Sequence, residues 1–86
     1  MTGYFKLIDK HRTDGRVDIF EAPRGSQVVF HKIRGIVGDK LHTNGIPLPL
    51  EVDGWADDSA FPGDIFETED FVVVCLSEEE YEEYTE

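Results

Sequence analysis

The side chains that most often bind metals or act as nucleophiles are few in this chain and widely separated. Its histidines are His11, His31 and His42, and its single cysteine is Cys75. The histidine spacing fits no compact zinc motif, in which ligands come in closely spaced pairs. Cys75 lies in the apolar run FVVVCL, where burial raises the pKa of a thiol and makes it unreactive. No serine lies in a G-x-S-x-G motif. We therefore predict no metal, no cofactor and no enzymatic activity.

Carboxylates are the abundant chemical group. The 86 residues contain 19 Asp and Glu against 8 Lys and Arg, a formal net charge of −11. Every basic residue lies between Lys6 and Lys40. Such a charge disfavours direct contact with nucleic acid or anionic membranes and favours a basic protein as partner. Ordinary solubility is the simpler explanation of the same composition.

The C-terminal segment SEEEYEEYTE carries the densest charge and a local folding signal. Ser77 and Glu80 match the capping box that begins helices, and Leu76 and Tyr81 have the spacing of a hydrophobic staple. These residues predict a short helix over about 78–84. Tyr81 and Tyr84, three residues apart, would then dock on the rest of the domain.

Rows of carboxylates on this helix and on nearby strands recur at about 5–7 Å, a spacing that suits imitation of a phosphate ladder. The predicted partner-binding residues are therefore acids of this kind, with two aromatic residues of the types that often dominate interfaces. They are Trp55, Asp57, Asp58, Glu67, Glu69, Asp70, Glu78, Glu79, Glu82, Glu83 and Tyr84. For Trp55 the competing interpretation is a loop residue that plugs one end of a barrel.

Short runs of alternating apolar and polar residues, separated by turn signals, predict the elements that hold these residues. The strand candidates are 4–9, 16–21, 27–37, 64–67 and 70–76. Turns are predicted at Asp14-Gly15, at Asn44-Gly45 and over 61–64. Pro47 and Pro49 predict an edge strand or an extended connection.

The expected fold is mainly β, a single domain over 1–86. An antiparallel meander or small barrel of five to seven strands, SH3-like or OB-like, occupies about 4–76 and precedes the acidic helix. The N-terminus lacks the apolar core of a signal peptide, and no apolar run is long enough to span a bilayer. We therefore expect a cytoplasmic protein, with no prediction for its oligomeric state. An incidental cation site among the acids of 53–64 stays an open alternative.

Three functional hypotheses follow. The first is an acidic inhibitor or nucleic-acid mimic that occupies a basic surface of another protein, of the phage anti-defence or nuclease-immunity type. The second is a small interaction module, or a structural subunit of a phage or other complex, with ordinary surface acidity. The third is a single-strand nucleic-acid-binding barrel, in which HKIR (31–34) and nearby phenylalanines form a basic aromatic face. The negative net charge argues against the third.

Overall fold

The computed structural model describes residues 2–38, 41 and 48–85. Within them the chain forms four strands, three α-helices and one π-helical turn. In chain order these are β1 (Thr2–Asp9), β2 (Asp18–Pro23), α1 (Val29–Val37), α2 (Leu48–Gly54), the π-helical turn (Trp55–Ser59), β3 (Ile65–Glu67), β4 (Phe71–Leu76) and α3 (Glu78–Thr85).

The four strands form one antiparallel sheet in the order β2-β1-β4-β3. The hairpin β1–β2 forms one half of the sheet and the hairpin β3–β4 forms the other half. Strands β1 and β4 pair with each other at the centre. Side chains alternate between the two faces, as they must in a pleated strand. Phe5 and Leu7 of β1 are buried on the inner face, whereas Tyr4, Lys6 and Ile8 are half-buried on the outer face.

Helix α1 covers the inner face of the sheet. Val29, Phe30, Ile33 and Val37 are buried, and this spacing of three and four residues forms one continuous apolar stripe. The stripe belongs to the same core as Phe5 and its inner-face neighbours. Helix α2 and the residues that follow it complete this core with Val52, Ala56 and Ala60.

The first turn of α1 is held by acids from another part of the chain. The residue before the helix, Val28, provides no side-chain cap. Instead the backbone N–H of Phe30 donates to Asp53 Oδ1 at 3.0 Å, and that of Gln27 donates to Asp57 Oδ2 at 3.1 Å. Each carboxylate satisfies a backbone donor at or beside the helix start, where negative charge is favourable.

The prediction of a mainly β meander or barrel is wrong in two segments. Most of the predicted strand 27–37 forms α1, because its apolar residues also satisfy the helical period and the helix buries Val29, Phe30, Ile33 and Val37 in the core. The predicted extended segment around Pro49 contains α2, with the proline in the first turn, where its missing N–H costs no hydrogen bond. The result is an open four-stranded sheet with similar amounts of strand and helix.

Two turn predictions have different outcomes, and a third lies outside the described residues. Over 61–64 the N–H of Asp64 donates to the carbonyl of Phe61 at 2.9 Å, and Gly63 has φ of 98°. This is the predicted type II turn. Asp14-Gly15 does not close a tight hairpin, since β1 ends at Asp9 and β2 begins only at Asp18. Asn44-Gly45 is not among the described residues.

Helix α3 begins as the sequence predicts. The N–H of Glu80 donates to Ser77 Oγ at 3.2 Å, and the N–H of Ser77 donates to Glu80 Oε1 at 3.1 Å. These two bonds are the reciprocal pair of a capping box. The C-terminal helix and its start are therefore confirmed.

Replacing Ser77 by alanine is expected to lower the free energy of unfolding by about 1 kcal/mol, because the N–H of Glu80 loses its acceptor. Urea denaturation with circular dichroism measures the change. Ser59→Ala serves as a control, since Ser59 is exposed at the end of the π-helical turn. A loss no larger than that of the control would contradict a stabilising cap.

No helix in the described part of the chain is long and apolar enough to cross a membrane.

Candidate protein-binding surface

Helix α3 lies on the outer face of the sheet and is held there by its two tyrosines. The rings of Tyr81 and Tyr4 have centroids 4.7 Å apart. Lys6 Nζ donates to the hydroxyl of Tyr84 at 3.3 Å and lies 5.6 Å from the centroid of that ring. No α3 residue is fully buried. The helix therefore rests on the sheet with its carboxylates in solvent.

Carboxylates from two elements converge around Tyr4. Partial burial raises the pKa of Tyr4 above its ordinary value of 10.0, and the negative charges of Glu78, Glu21 and Glu82 raise that pKa further. Glu21 belongs to β2 and lies opposite Tyr4 in the strand register. Glu21 of β2 thus shares one surface with Glu78 and Glu82 of α3. We call these three residues, together with the exposed Glu79 and Glu83 of the same helix, the acidic face.

The raised pKa of Tyr4 gives a measurable prediction. The pKa of Tyr4 is higher in the folded than in the unfolded protein. The folded protein therefore loses stability as the pH rises above 10.0 towards the folded pKa. In an alkaline titration followed by tyrosinate absorbance, Tyr4→Phe should remove a late-ionising group. The double variant Glu78→Gln, Glu82→Gln should lower the pKa of Tyr4.

Glu51→Gln is the control for this titration, because Glu51 is an exposed residue of α2 and is not among the charges acting on Tyr4. An unchanged titration in the double variant would show that the α3 carboxylates do not act on Tyr4.

Three cations have partners outside α3, whereas Lys6 contacts Tyr84 of α3. Lys10 Nζ lies 2.8 Å from Glu67 Oε2, and the Arg12 guanidinium lies 3.0 Å from Asp18 Oδ2. Arg24 donates to the carbonyl of Ala60 at 2.9 Å. Among the ion pairs formed by the described residues, none includes a glutamate of α3. The charge of α3 is therefore not neutralised by ion pairing within this part of the molecule.

Several predicted site residues also make contacts within the fold. The carboxylate of Asp70 is 2% exposed, and its Oδ1 lies 2.8 Å from Nε2 of His11. Asp57 is tied to the backbone beside α1, as described above. Trp55 is half-buried, with its ring centroid 5.6 Å from that of Phe66. Trp55 therefore packs against the core of an open sheet, and the barrel end that the competing interpretation assigned to it is not formed.

The remaining predicted residues divide into two groups. Asp58, Glu67 and Glu69 are exposed, but they belong to the π-helical turn and the β3–β4 hairpin. The other group lies together on α3: Glu78, Glu79, Glu82, Glu83 and Tyr84. Sequence reasoning missed Glu21, because only the pairing of β2 with β1 brings it beside α3.

Positive charge is exposed on the opposite side of the sheet. His31, Lys32 and Arg34 are exposed on α1, which covers the inner face. The phenylalanines expected beside them lie in the core, where the rings of Phe5 and Phe20 have centroids 5.4 Å apart. These phenylalanines therefore do not form an exposed aromatic face with the bases of α1, and single-strand binding stays a prediction.

Cys75 is buried on the inner face. Burial is the main cause that raises the pKa of its thiol; the charges of Asp64 and Glu80 add to the rise, and Arg24 opposes it. Ellman's reagent should react with the native protein at least about a hundredfold more slowly than with the denatured chain. Equal rates would contradict a buried thiol.

Within residues 2–38, 41 and 48–85, no three His, Cys, Asp or Glu side chains are arranged to hold a metal ion. Comparison with models of known protein families, with curated proteins and with solved structures found no match to this chain.

Proposed function

We propose that this is a non-enzymatic protein-binding protein whose acidic face occupies a basic, nucleic-acid-binding surface of another protein. In this proposal it acts as an inhibitor or nucleic-acid mimic. One observation carries the proposal: Glu78 and Glu82 of α3 lie beside Glu21 on the outer face, and no ion pair among the described residues neutralises the glutamates of α3.

The arrangement of these charges supports recognition of a basic surface. Carboxylates three and four residues apart on α3 lie about 5–6 Å from one another. The capping box and the tyrosine contacts fix this helix on a rigid sheet, so little ordering is needed on binding. Concentrated negative charge would also steer a basic partner and raise the association rate.

The test uses the protein as bait in a lysate of its native host, with washes at increasing salt. An α3 variant carries Glu79→Gln, Glu82→Gln and Glu83→Gln, which leaves the capping box intact. A control variant removes the same charge elsewhere, at exposed acids outside the acidic face. Its changes are Glu51→Gln, Asp58→Asn and Glu69→Gln.

We expect capture of a nucleic-acid-binding protein that elutes at moderate salt and is retained by the control but not by the α3 variant. The purified partner should then lose binding to its nucleic acid when the protein is added. Equal capture by both variants would contradict the acidic face. Capture without competition against nucleic acid would favour the second hypothesis, an interaction module with ordinary acidity.

A further inference from the structure

The chain contains two Asp-Gly dipeptides, Asp14-Gly15 and Asp53-Gly54. This dipeptide can react with itself, because the backbone nitrogen of the glycine attacks the side-chain carboxyl carbon of the aspartate and closes a five-membered ring. Glycine has no Cβ to obstruct the attack. Since the two dipeptides have the same sequence, a difference in their reactivity must come from the fold.

The first dipeptide lies outside the sheet, in the connection between β1, which ends at Asp9, and β2, which begins at Asp18. Asp14 and Gly15 are both exposed, and Gly15 has φ of 74°. Among the described residues, none crowds the position that a side chain would occupy at Gly15. The backbone here therefore has room to reach the geometry that ring closure requires.

The side chain of Asp14 is folded back along its own backbone. Its Oδ1 accepts the N–H of Arg16, two residues further on, at 3.0 Å. This is the hydrogen bond of an Asx turn, in which the side chain curls over the peptide bond that follows it. The carboxyl carbon of Asp14 is thereby held beside the Asp14–Gly15 peptide bond, whose nitrogen is the attacking atom.

The ion pairs of Asp14 hold its carboxylate only weakly. The Nε atoms of Arg12 and Arg16 lie 3.9 Å and 3.7 Å from its oxygens. The side chain of Asp14 is 51% exposed and that of Arg16 is 82% exposed. Exposed pairs contribute little to stability, so the carboxyl can leave these contacts at little cost.

The second dipeptide is held by the fold. Asp53 and Gly54 belong to α2, and Gly54 has helical backbone angles, with φ of −62° and ψ of −45°. Asp53 is 8% exposed, and its Oδ1 accepts the N–H of Phe30 in α1. Ring closure at Asp53 would require the end of α2 to unwind and the carboxylate to leave α1.

We propose that Asp14 is a site of spontaneous covalent modification, at which aspartate is converted into isoaspartate through a succinimide formed with Gly15. A bond forms between the Gly15 nitrogen and Cγ of Asp14, and the carboxyl hydroxyl leaves with the amide proton as water. Water then opens the ring. Attack at Cγ restores aspartate, whereas attack at the main-chain carbonyl carbon of Asp14 leaves the chain running through Cγ. One water is lost and one is gained, so the conversion needs no cofactor and no oxidant.

The modification is compatible with the fold. Isoaspartate adds one methylene group to the main chain and keeps one carboxylate, and exposed connections tolerate such insertions. The strand pairing ends at Leu7 and Asp18, before the modified residue. Asp14 is not part of the acidic face, so this inference is independent of the proposed function.

The test incubates the full chain in mildly acidic buffer made with heavy-oxygen water, because a neutral carboxyl loses water more readily than a carboxylate. Ring opening places a heavy oxygen in the product, and peptide mapping by mass spectrometry locates it. A parallel sample in urea gives the rate of each dipeptide without the fold. Asp14→Glu is the control variant, since glutamate would have to close a six-membered ring, which forms much more slowly.

In the folded protein we expect the Asp14 peptide to incorporate heavy oxygen at least about tenfold faster than the Asp53 peptide, because α2 must open before Asp53 reacts. In urea the two rates should be similar, and Asp14→Glu should abolish incorporation at this position. Equal rates for the two dipeptides in the folded protein would overturn the inference. A rate for Asp14 that is about tenfold lower in the folded protein than in urea would also overturn it, because the connection would then protect the carboxyl.

Discussion

Replacing Asp53 by alanine is expected to lower the free energy of unfolding by about 2–3 kcal/mol. Asp53 is 8% exposed and accepts the N–H of Phe30, in a helix whose own preceding residue provides no cap. The change removes a charge-assisted hydrogen bond and a favourable interaction with the helix dipole, and it leaves a buried donor unsatisfied. Urea denaturation measures the loss.

Two further variants separate the causes. Asp53→Asn keeps an acceptor but removes the charge, so we expect about half of the loss. Glu51 is an exposed residue of α2, the helix that also contains Asp53. Glu51→Ala should change the free energy of unfolding by less than about 0.5 kcal/mol. If Asp53→Ala behaves like Glu51→Ala, Asp53 does not hold α1.

The same hydrogen bond explains why α1 was not predicted. Its cap comes from a residue 23 positions away, and no residue at its own start gives a helix signal. Its β-branched residues favour a strand, whereas burial against the sheet favours the helix. Helix α3 was predictable because both members of its capping box, Ser77 and Glu80, are local in sequence. Tertiary packing determines that α1 is helical, whereas local hydrogen bonding determines where α3 begins.

The candidate surface was likewise predictable only where it depends on local sequence. The acids of α3 follow from a local pattern. The position of Glu21 beside α3 depends on strand register, and the burial of Asp70 against His11 depends on a contact across the molecule. Composition alone does not distinguish an acid that faces solvent from one that holds the fold together. Asp53 and Asp57 belong to the second kind.

The charge asymmetry along the sequence becomes an asymmetry in space because of where the helices pack. Helix α1 carries Lys32 and Arg34 and covers the inner face, and α3 carries its glutamates on the outer face. A partner that approaches the outer face meets the glutamates of α3 with Lys6 beside them, and the exposed bases of α1 lie behind the sheet. This separation is what the proposed function requires.

Raising salt from about 0.01 M to 0.3 M is expected to raise the melting temperature by roughly 5 °C. In α3, like charges lie at i,i+4 (Glu78 with Glu82, Glu79 with Glu83) and at i,i+3 (Glu79 with Glu82, Glu80 with Glu83). Each such pair costs about 0.2–0.5 kcal/mol at low salt. A total of about 1 kcal/mol corresponds to roughly 4–8 °C for a domain of this size. Salt shortens the screening length to the distance between these carboxylates and removes most of that cost.

The α3 variant decides whether this salt dependence comes from α3. With Glu79, Glu82 and Glu83 changed to glutamine, all four like-charge pairs are lost. The melting temperature of this variant should therefore exceed that of the wild type at low salt and change little as the salt concentration rises. The control variant at Glu51, Asp58 and Glu69 removes equal charge but none of these pairs, and it should keep the wild-type slope. Equal slopes in both variants would mean that repulsion is spread over the whole surface, as ordinary surface acidity would produce. A flat wild-type curve would show that the carboxylates of α3 are not crowded, and the argument for a concentrated acidic face would lose its energetic basis.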